Sequence, residues 1–112
     1  MTLILAHAGG ALPTLGWRTA AHSQVGLAPQ DAAIDADHIA EVLRGFYYET
    51  ALAGSRNSLL PTLEVTDLNH VLFGTDWPAP PVPVVDDNIE YLKSFTGFTS
   101  DQSKVNACIL SG

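Results

Sequence analysis

Short apolar segments alternate along the chain with segments whose apolar residues recur at helical spacing. Residues 2–6 form a largely apolar run ahead of Gly9 and Gly10, residues 46–48 are aromatic, and residues 70–73 are again largely apolar. Short aliphatic or aromatic runs bounded by glycine are typical of strands. The pattern predicts three strands and favours burial on both faces for the first, where the shortness of the run also leaves a helix open.

The remaining segments are predicted to be helices and loops. The predicted helices cover residues 12–22, 35–44, 59–65, 86–97 and 100–110, and the predicted loops cover residues 26–34 and 79–85. Asp35, either Asp86 or Asp87, and Ser100 are the predicted N-caps, because their side-chain oxygens can accept a hydrogen bond from a free backbone N–H. Pro61 should lie close to the start of its helix, where a missing N–H is tolerated.

The order strand, helix, strand, helix, strand, helix is typical of βαβ units. The predicted fold class is therefore α/β, with a parallel sheet of about three strands in one unit of 112 residues. Three parallel strands leave both edges of a sheet unpaired. This favours an incomplete sheet that is completed by something else.

Charge excludes two classes of partner. The chain has five basic and twelve acidic residues, for a formal net charge of −7. Such a surface repels phosphate backbones and anionic lipids, so nucleic acid and membranes are not expected partners. The first seven residues lack the basic start of a secretion signal, which favours a cytoplasmic location.

The number of charged residues and of cysteines adds two further constraints. Only 15% of residues are charged, against about 25% in an average domain, so part of the surface is expected to be covered. Cys108 is the one cysteine in the sequence, which excludes an internal disulfide framework. It lies beside an apolar helical face and is interpreted as an inert packing residue.

Candidate chemistry lies where the predicted strands end. His7 follows the first strand, Glu49 and Thr50 follow the second, and Thr75 and Asp76 follow the third. Because ligands bind at the carboxyl ends of parallel strands, these side chains are expected at one edge of the sheet.

Each strand-end residue has a chemical and a structural interpretation. Histidine exchanges protons near neutral pH, so His7 is a candidate metal ligand or general acid/base, or else it caps a strand by bonding a nearby carbonyl. Asp76 is a candidate metal ligand, or it forms an Asx-turn ahead of Pro78. Glu49 either contacts a substrate or bonds a loop. Arg18 could bind a carboxylate, although a lone helical arginine is usually solvated.

Other aromatic and imidazole side chains favour structural roles. His22 and His38 are interpreted as surface residues, and His70 as a structural residue at the opposite edge of the sheet. The residues interpreted mainly as packing residues are Trp17, Trp77, Tyr47 and Tyr48.

Three segments in one order resemble a known family. AHAGGALP (residues 6–13), FYYETA (residues 46–51) and HVLFGTDWP (residues 70–78) resemble the C-terminal part of the amidohydrolase-related metal-dependent decarboxylases. That family includes the aminocarboxymuconate semialdehyde, γ-resorcylate and 6-methylsalicylate decarboxylases, and the resemblance is strongest to the last type. It runs over nearly the whole chain.

The resemblance implies a fold and a reaction. It implies a (β/α)₈ TIM barrel, of which residues 1–112 would form roughly the last three β/α units as a C-terminal portion. The implied reaction is non-oxidative decarboxylation of a small aromatic or enol carboxylic acid. The implied cofactor is a divalent metal, zinc or alternatively manganese, and full-length members are expected to be homodimers.

The resemblance also implies roles for single residues. His7 would be the catalytic acid/base and Asp76 a metal ligand. Thr75 and Trp77, in the aspartate segment, are candidate substrate contacts. Arg18 would reach a substrate carboxylate across a dimer interface.

The sequence departs from the family in ways that keep two alternatives open. The family's metal-binding histidines on earlier strands have no counterpart ahead of His7, and the family usually has aspartate where this chain has Glu49. A catalytic zinc generally needs about three protein ligands, so the chain alone is expected to be inactive. The alternatives are a non-catalytic, truncated remnant and a metal-dependent hydrolase of the lactonase type.

Overall fold

The computed structural model describes residues 1–24 and 35–97, which contain a three-stranded parallel sheet. The strands are β1 (Ile4–Leu5), β2 (Tyr47–Glu49) and β3 (Val71–Leu72), in the order β1-β2-β3. In register, Ile4 lies opposite Tyr47, and Tyr48 lies opposite Val71. The prediction of three parallel strands is confirmed.

Four helices accompany the sheet within the described residues. They are α1 (Leu12–Gln24), α2 (Ala36–Gly45), α3 (Arg56–Val65) and α4 (Val82–Ser94), and short 3₁₀ turns cover His7–Gly9 and Leu68–His70. The predicted helices at 12–22 and 35–44 are confirmed. The predicted loop 26–34, the helix capped by Ser100 and Cys108 lie outside the described residues.

The start of α3 differs from the prediction, which placed it close to Pro61. The helix begins at Arg56, and the Ser55 side chain accepts a hydrogen bond from the backbone N–H of Ser58 at 3.2 Å. This N-cap and the burial of Leu59 outweigh the missing N–H of Pro61, which lies inside the helix.

The start of α4 also differs from the prediction. The helix begins at Val82 with Pro81 as its N-cap, so residues 82–85 are helical and neither Asp86 nor Asp87 is the cap. Prolines are tolerated in a first helical turn, because the N–H groups there have no partner inside the helix. Leu92, predicted to face inward, is buried.

The core lies where α3 and α4 meet the His7–Gly9 turn that follows β1. It contains Ala8, Ala53, Leu59, Leu92 and Phe95. The largest wholly buried side chain is Tyr48 at the centre of the sheet, with 0% exposure. Its hydroxyl donates a hydrogen bond of 2.6 Å to the carbonyl of Leu43 in α2. This bond satisfies a polar group that would be costly to bury alone.

Several large apolar side chains are exposed, contrary to prediction. Ile4 in β1 is 61% exposed, although the first predicted strand was expected to be buried on both faces. Trp17 and Trp77, predicted to be packing residues, are 80% and 62% exposed; Trp17 lies on α1 and Trp77 in the loop after β3. Within the described residues, no helix has both the length and the apolar character needed to cross a bilayer.

We expect Tyr48→Phe to lower the free energy of unfolding by about 1–2 kcal/mol, because it removes a buried hydrogen bond and keeps the ring. Urea denaturation followed by circular dichroism measures the change. Tyr47→Phe, on the same strand but only half-buried, is the matched control and should change the free energy by less than about 0.5 kcal/mol. Equal effects of the two substitutions would contradict the importance of the Tyr48 bond.

Stability should also fall in alkali through Tyr48. Burial raises the pKa of Tyr48 above its usual value of 10.0. The unfolded state therefore ionises first, and the stabilisation present below about pH 10 is lost as pH rises further. Unfolding free energies measured from about pH 8 to about pH 11 should decline less steeply for Tyr48→Phe than for the unsubstituted chain. Parallel declines would show that this ionisation contributes nothing.

Candidate functional site

The carboxyl ends of the three strands carry the candidate chemical groups. We use "strand-end rim" for residues 6–10 after β1, 49–52 at the end of β2, and 73–77 after β3. The parallel order of the sheet places all three segments at the same edge. The sequence predicted this common edge, and the structure confirms it.

The turn after β1 holds His7 in an unusual backbone conformation. His7 has φ of 55° and Ala8 has φ of 54°, in the left-handed region that costs energy for residues other than glycine. The hydroxyl of Thr62 in α3 donates a 2.7 Å hydrogen bond to the carbonyl of Ala8. Gly9 follows because a Cβ there would lie 2.8 Å from the Tyr48 ring. Contacts from α3 and β2 thus fix the turn.

The His7 imidazole is held by the next strand. Its Nδ1 lies 3.0 Å from the carbonyl oxygen of Ala51. A carbonyl can only accept, so Nδ1 carries the proton and Nε2 is the basic nitrogen. The ring is therefore oriented, and Nε2 has no hydrogen-bond partner among the described residues.

Glu49 lies at the centre of the rim. Its Oε1 accepts a hydrogen bond from the N–H of Ala51 at 2.6 Å, and its Oε2 accepts one from the N–H of His7 at 3.4 Å. A Cβ on Gly74, after β3, would overlap this carboxylate. Sequence alone indicates only a weak role for Glu49, and the available signal is a glutamate at the end of one strand together with a glycine just after the next.

The Asp76 side chain is exposed on the loop after β3. The Thr75 hydroxyl accepts the N–H of Trp77, two residues ahead, at 3.3 Å, which is the bond of an ST-turn. The Asx-turn interpretation of Asp76 is wrong, because the residue two ahead is Pro78, which has no N–H to donate. Asp76 itself has φ of 58°, and the Trp77–Pro78 peptide is cis. Among the described residues, the Asp76 carboxylate has no hydrogen-bond or ion-pair partner, which leaves it available to a ligand.

The structure does not bring Arg18 to the rim. It is exposed on α1, six residues after Leu12, which is about 9 Å along the helix. No hydrogen bond or ion pair joins Arg18 to another residue in the part of the chain described. His22 and His38 are exposed, as predicted.

His70 has the structural role predicted for it. It lies just before β3, its Nδ1 is 3.2 Å from Asp67 Oδ1, and its ring centroid is 4.8 Å from that of Tyr47. The hydrogen bond from His70 is the main cause that lowers the pKa of the Asp67 carboxyl.

The described residues alone do not form a metal site. No three histidine, cysteine, aspartate or glutamate side chains gather in residues 1–24 and 35–97. Asp76 and the free Nε2 of His7 are the available donors at the rim, and the oxygens of Glu49 already bind backbone amides. Two donors fall short of the three or so that a catalytic metal generally needs.

Comparison with known proteins identifies relatives of longer length. The chain is 32% identical over 93 residues to 6-methylsalicylic acid decarboxylase of Penicillium expansum, which covers 83% of this chain and 28% of that protein. No protein-family model matches the sequence. The chain therefore spans little more than a quarter of that relative.

Solved structures show the same fold. An amidohydrolase II structure covers 100% of this chain and 36% of its own, with a TM-score of 0.76 and 22% identity. A dihydroxybenzoic acid decarboxylase from Polaromonas sp. JS666, with bound manganese and the inhibitor 2-nitroresorcinol, has a TM-score of 0.67 and 24% identity over 97% of this chain and 33% of its own.

The three-stranded parallel α/β fold of the described residues matches part of these amidohydrolase-fold structures. In sequence, the chain is similar to about a quarter of the 6-methylsalicylic acid decarboxylase of Penicillium expansum.

We expect Gly74→Ala to lower the free energy of unfolding by about 1–3 kcal/mol, because the new Cβ displaces the Glu49 carboxylate and leaves amides unpaired. Gly45→Ala is the control, since nothing lies within 4 Å of a Cβ there. It should be neutral or stabilise by up to about 1 kcal/mol. Urea denaturation compares the stabilities of the two variants. A Gly74→Ala variant as stable as Gly45→Ala would show that a Cβ at position 74 does not displace the Glu49 carboxylate.

Proposed function

We propose that this chain contributes the acid–base side of the active site in a non-oxidative decarboxylase acting on a small aromatic carboxylic acid of the 6-methylsalicylate type. The single observation that carries the proposal is the His7 imidazole, oriented by its bond to Ala51 with Nε2 left free at the strand-end rim. The relationship to aromatic-acid decarboxylases supports this choice of reaction.

The proposed reaction is a proton transfer followed by carbon–carbon cleavage. In its protonated form, His7 gives the Nε2 proton to the ring carbon that bears the carboxylate. The bond from that carbon to the carboxylate then breaks, carbon dioxide leaves, and the electron pair of the broken bond restores the aromatic ring. His7 ends neutral with Nδ1–H still bonded to Ala51, and takes a new proton from water.

We propose Asp76 as one ligand of a divalent metal, zinc or manganese. The manganese in the Polaromonas enzyme supports a divalent ion, and the Asp76 carboxylate has no competing partner in the described segments. Such an ion would hold the substrate carboxylate and offset its charge. The described residues lack enough donors, so further ligands would come from elsewhere and no catalytic step is assigned to the metal.

Substrate contacts are proposed for Thr75, Trp77 and Arg18. The exposed indole of Trp77 offers a flat surface to an aromatic ring, and the Thr75 hydroxyl can still donate while it accepts the Trp77 N–H. Arg18 lies away from the rim of its own chain and would reach a substrate carboxylate only from a second copy. The proposed role of Arg18 therefore requires a homodimeric enzyme.

A chimera tests the proposal. The matched region of the Penicillium expansum enzyme is replaced by this chain, and carbon dioxide release from 6-methylsalicylate is measured. We expect the chimera to be active and its His7→Gln variant to lose activity by about 10²- to 10⁴-fold, because glutamine cannot transfer the proton.

His22→Gln is the matched control, because His22 is exposed on α1 and should leave the rate unchanged. Circular dichroism checks that each variant is folded. A folded chimera that releases no carbon dioxide, or one that His7→Gln does not slow, would contradict the proposal. Hydrolysis of an added lactone to its hydroxy acid, with no carbon dioxide released from 6-methylsalicylate, would indicate the hydrolase alternative.

A further inference from the structure

We infer that Glu49 is the positioning residue for His7: its carboxylate joins the end of β2 to the turn after β1 and so fixes the direction in which the imidazole presents Nε2. The inference rests on the proposed role of His7 in proton transfer. Glu49 acts through backbone amides and touches no reacting atom.

Both oxygens of Glu49 are engaged. Oε1 accepts the Ala51 N–H at 2.6 Å, and Oε2 accepts the His7 N–H at 3.4 Å. A carboxylate is the suitable group here, because both of its oxygens accept and neither donates. With both oxygens turned to amides, Glu49 is poorly placed to bind a metal or to take a substrate proton.

The same peptide segment that Glu49 holds also holds the imidazole. Ala51 gives its N–H to Glu49 and receives the Nδ1–H of His7 at its carbonyl. Moving Ala51 would therefore move the acceptor that sets the His7 tautomer. Glu49 thus binds the main-chain N–H of His7 directly and orients the His7 ring indirectly, through Ala51.

Neighbouring elements support this arrangement from outside. The absence of a side chain at Gly74 makes room for the Glu49 carboxylate. The side-chain amide of Asn88 in α4 donates to the Thr50 carbonyl at 3.2 Å, and Thr62 in α3 donates to the Ala8 carbonyl at 2.7 Å. Each of these three features acts on Glu49 itself or on the residue next to Glu49 or His7. Neighbouring elements therefore help to hold the carboxylate in position.

The first test reads the His7 tautomer without any substrate. Nitrogen-15 NMR of the chain, with His7 assigned by comparison with His7→Gln, should show Nδ1 protonated. In Glu49→Gln one of the two carboxylate oxygens is replaced by an NH₂ group, which donates and cannot accept, so one of the two backbone amides loses its acceptor. We expect a shift toward a mixture of tautomers, and no shift in the control Glu64→Gln, because Glu64 is exposed on α3.

A conservative variant keeps the test independent of misfolding. Glu49→Asp can still reach the N–H of Ala51 two residues ahead, as in an Asx-turn, but not that of His7. It should largely retain the Nδ1 tautomer. In the chimera, we expect kcat to fall about tenfold or more for Glu49→Gln, with KM little changed, and to recover partly in Glu49→Asp.

The outcomes separate the two proposals. An unchanged tautomer in folded Glu49→Gln, or the same shift of tautomer in Glu64→Gln, would overturn the positioning role. A shifted tautomer with unchanged kcat would leave the positioning of His7 in place and remove the proposed function of His7 instead.

Discussion

The central strand β2 constrains the rest of the structure, because it pairs with both β1 and β3. Its middle residue, Tyr48, is wholly buried and bonds to the carbonyl of Leu43, so α2 is tied to the middle of the sheet. The Tyr48 ring also fills the space that a side chain at position 9 would occupy. The packing of Tyr48 therefore fixes the position of the next residue, Glu49, at the strand-end rim. Packing in the core and the proposed chemistry at the strand-end rim therefore both depend on the three residues of β2.

The sequence could predict the parts of the fold that depend on local pattern. Glycine-bounded apolar runs predicted the three parallel strands, and helical spacing predicted α1 and α2. The starts of α3 and α4 are not predicted by the local pattern, because that pattern places Pro61 near a helix start and Pro81 and Pro83 in a loop. Whether a proline breaks or begins a helix depends on caps and packing around it, which are not local properties. The exposure of Ile4 was missed for a similar reason, since burial depends on which neighbours a strand has.

The candidate site was predicted in outline. Strand-end position was enough to bring His7, Glu49 and Asp76 to one edge, because parallel strands end on the same side. Strand-end position could not show which of these three residues matters most to the site. The importance of Glu49 depends on two amide bonds and on the space beside Gly74, which arise only when three distant segments meet. Arg18 stays a prediction, because a contact made across a dimer interface depends on a second copy of the chain.

The left-handed run that starts at His7 affects how sequence variation in this turn should be interpreted. His7, Ala8, Gly9 and Gly10 all have positive φ, between 54° and 78°. Glycine adopts that conformation without strain, so the backbone alone favours glycine at all four positions. In a mutational scan, a His7→Gly variant that is more stable but less active would combine two opposite effects at one residue. A stability measurement alone would therefore not separate the backbone strain at His7 from the loss of the hydrogen bond between its imidazole and Ala51.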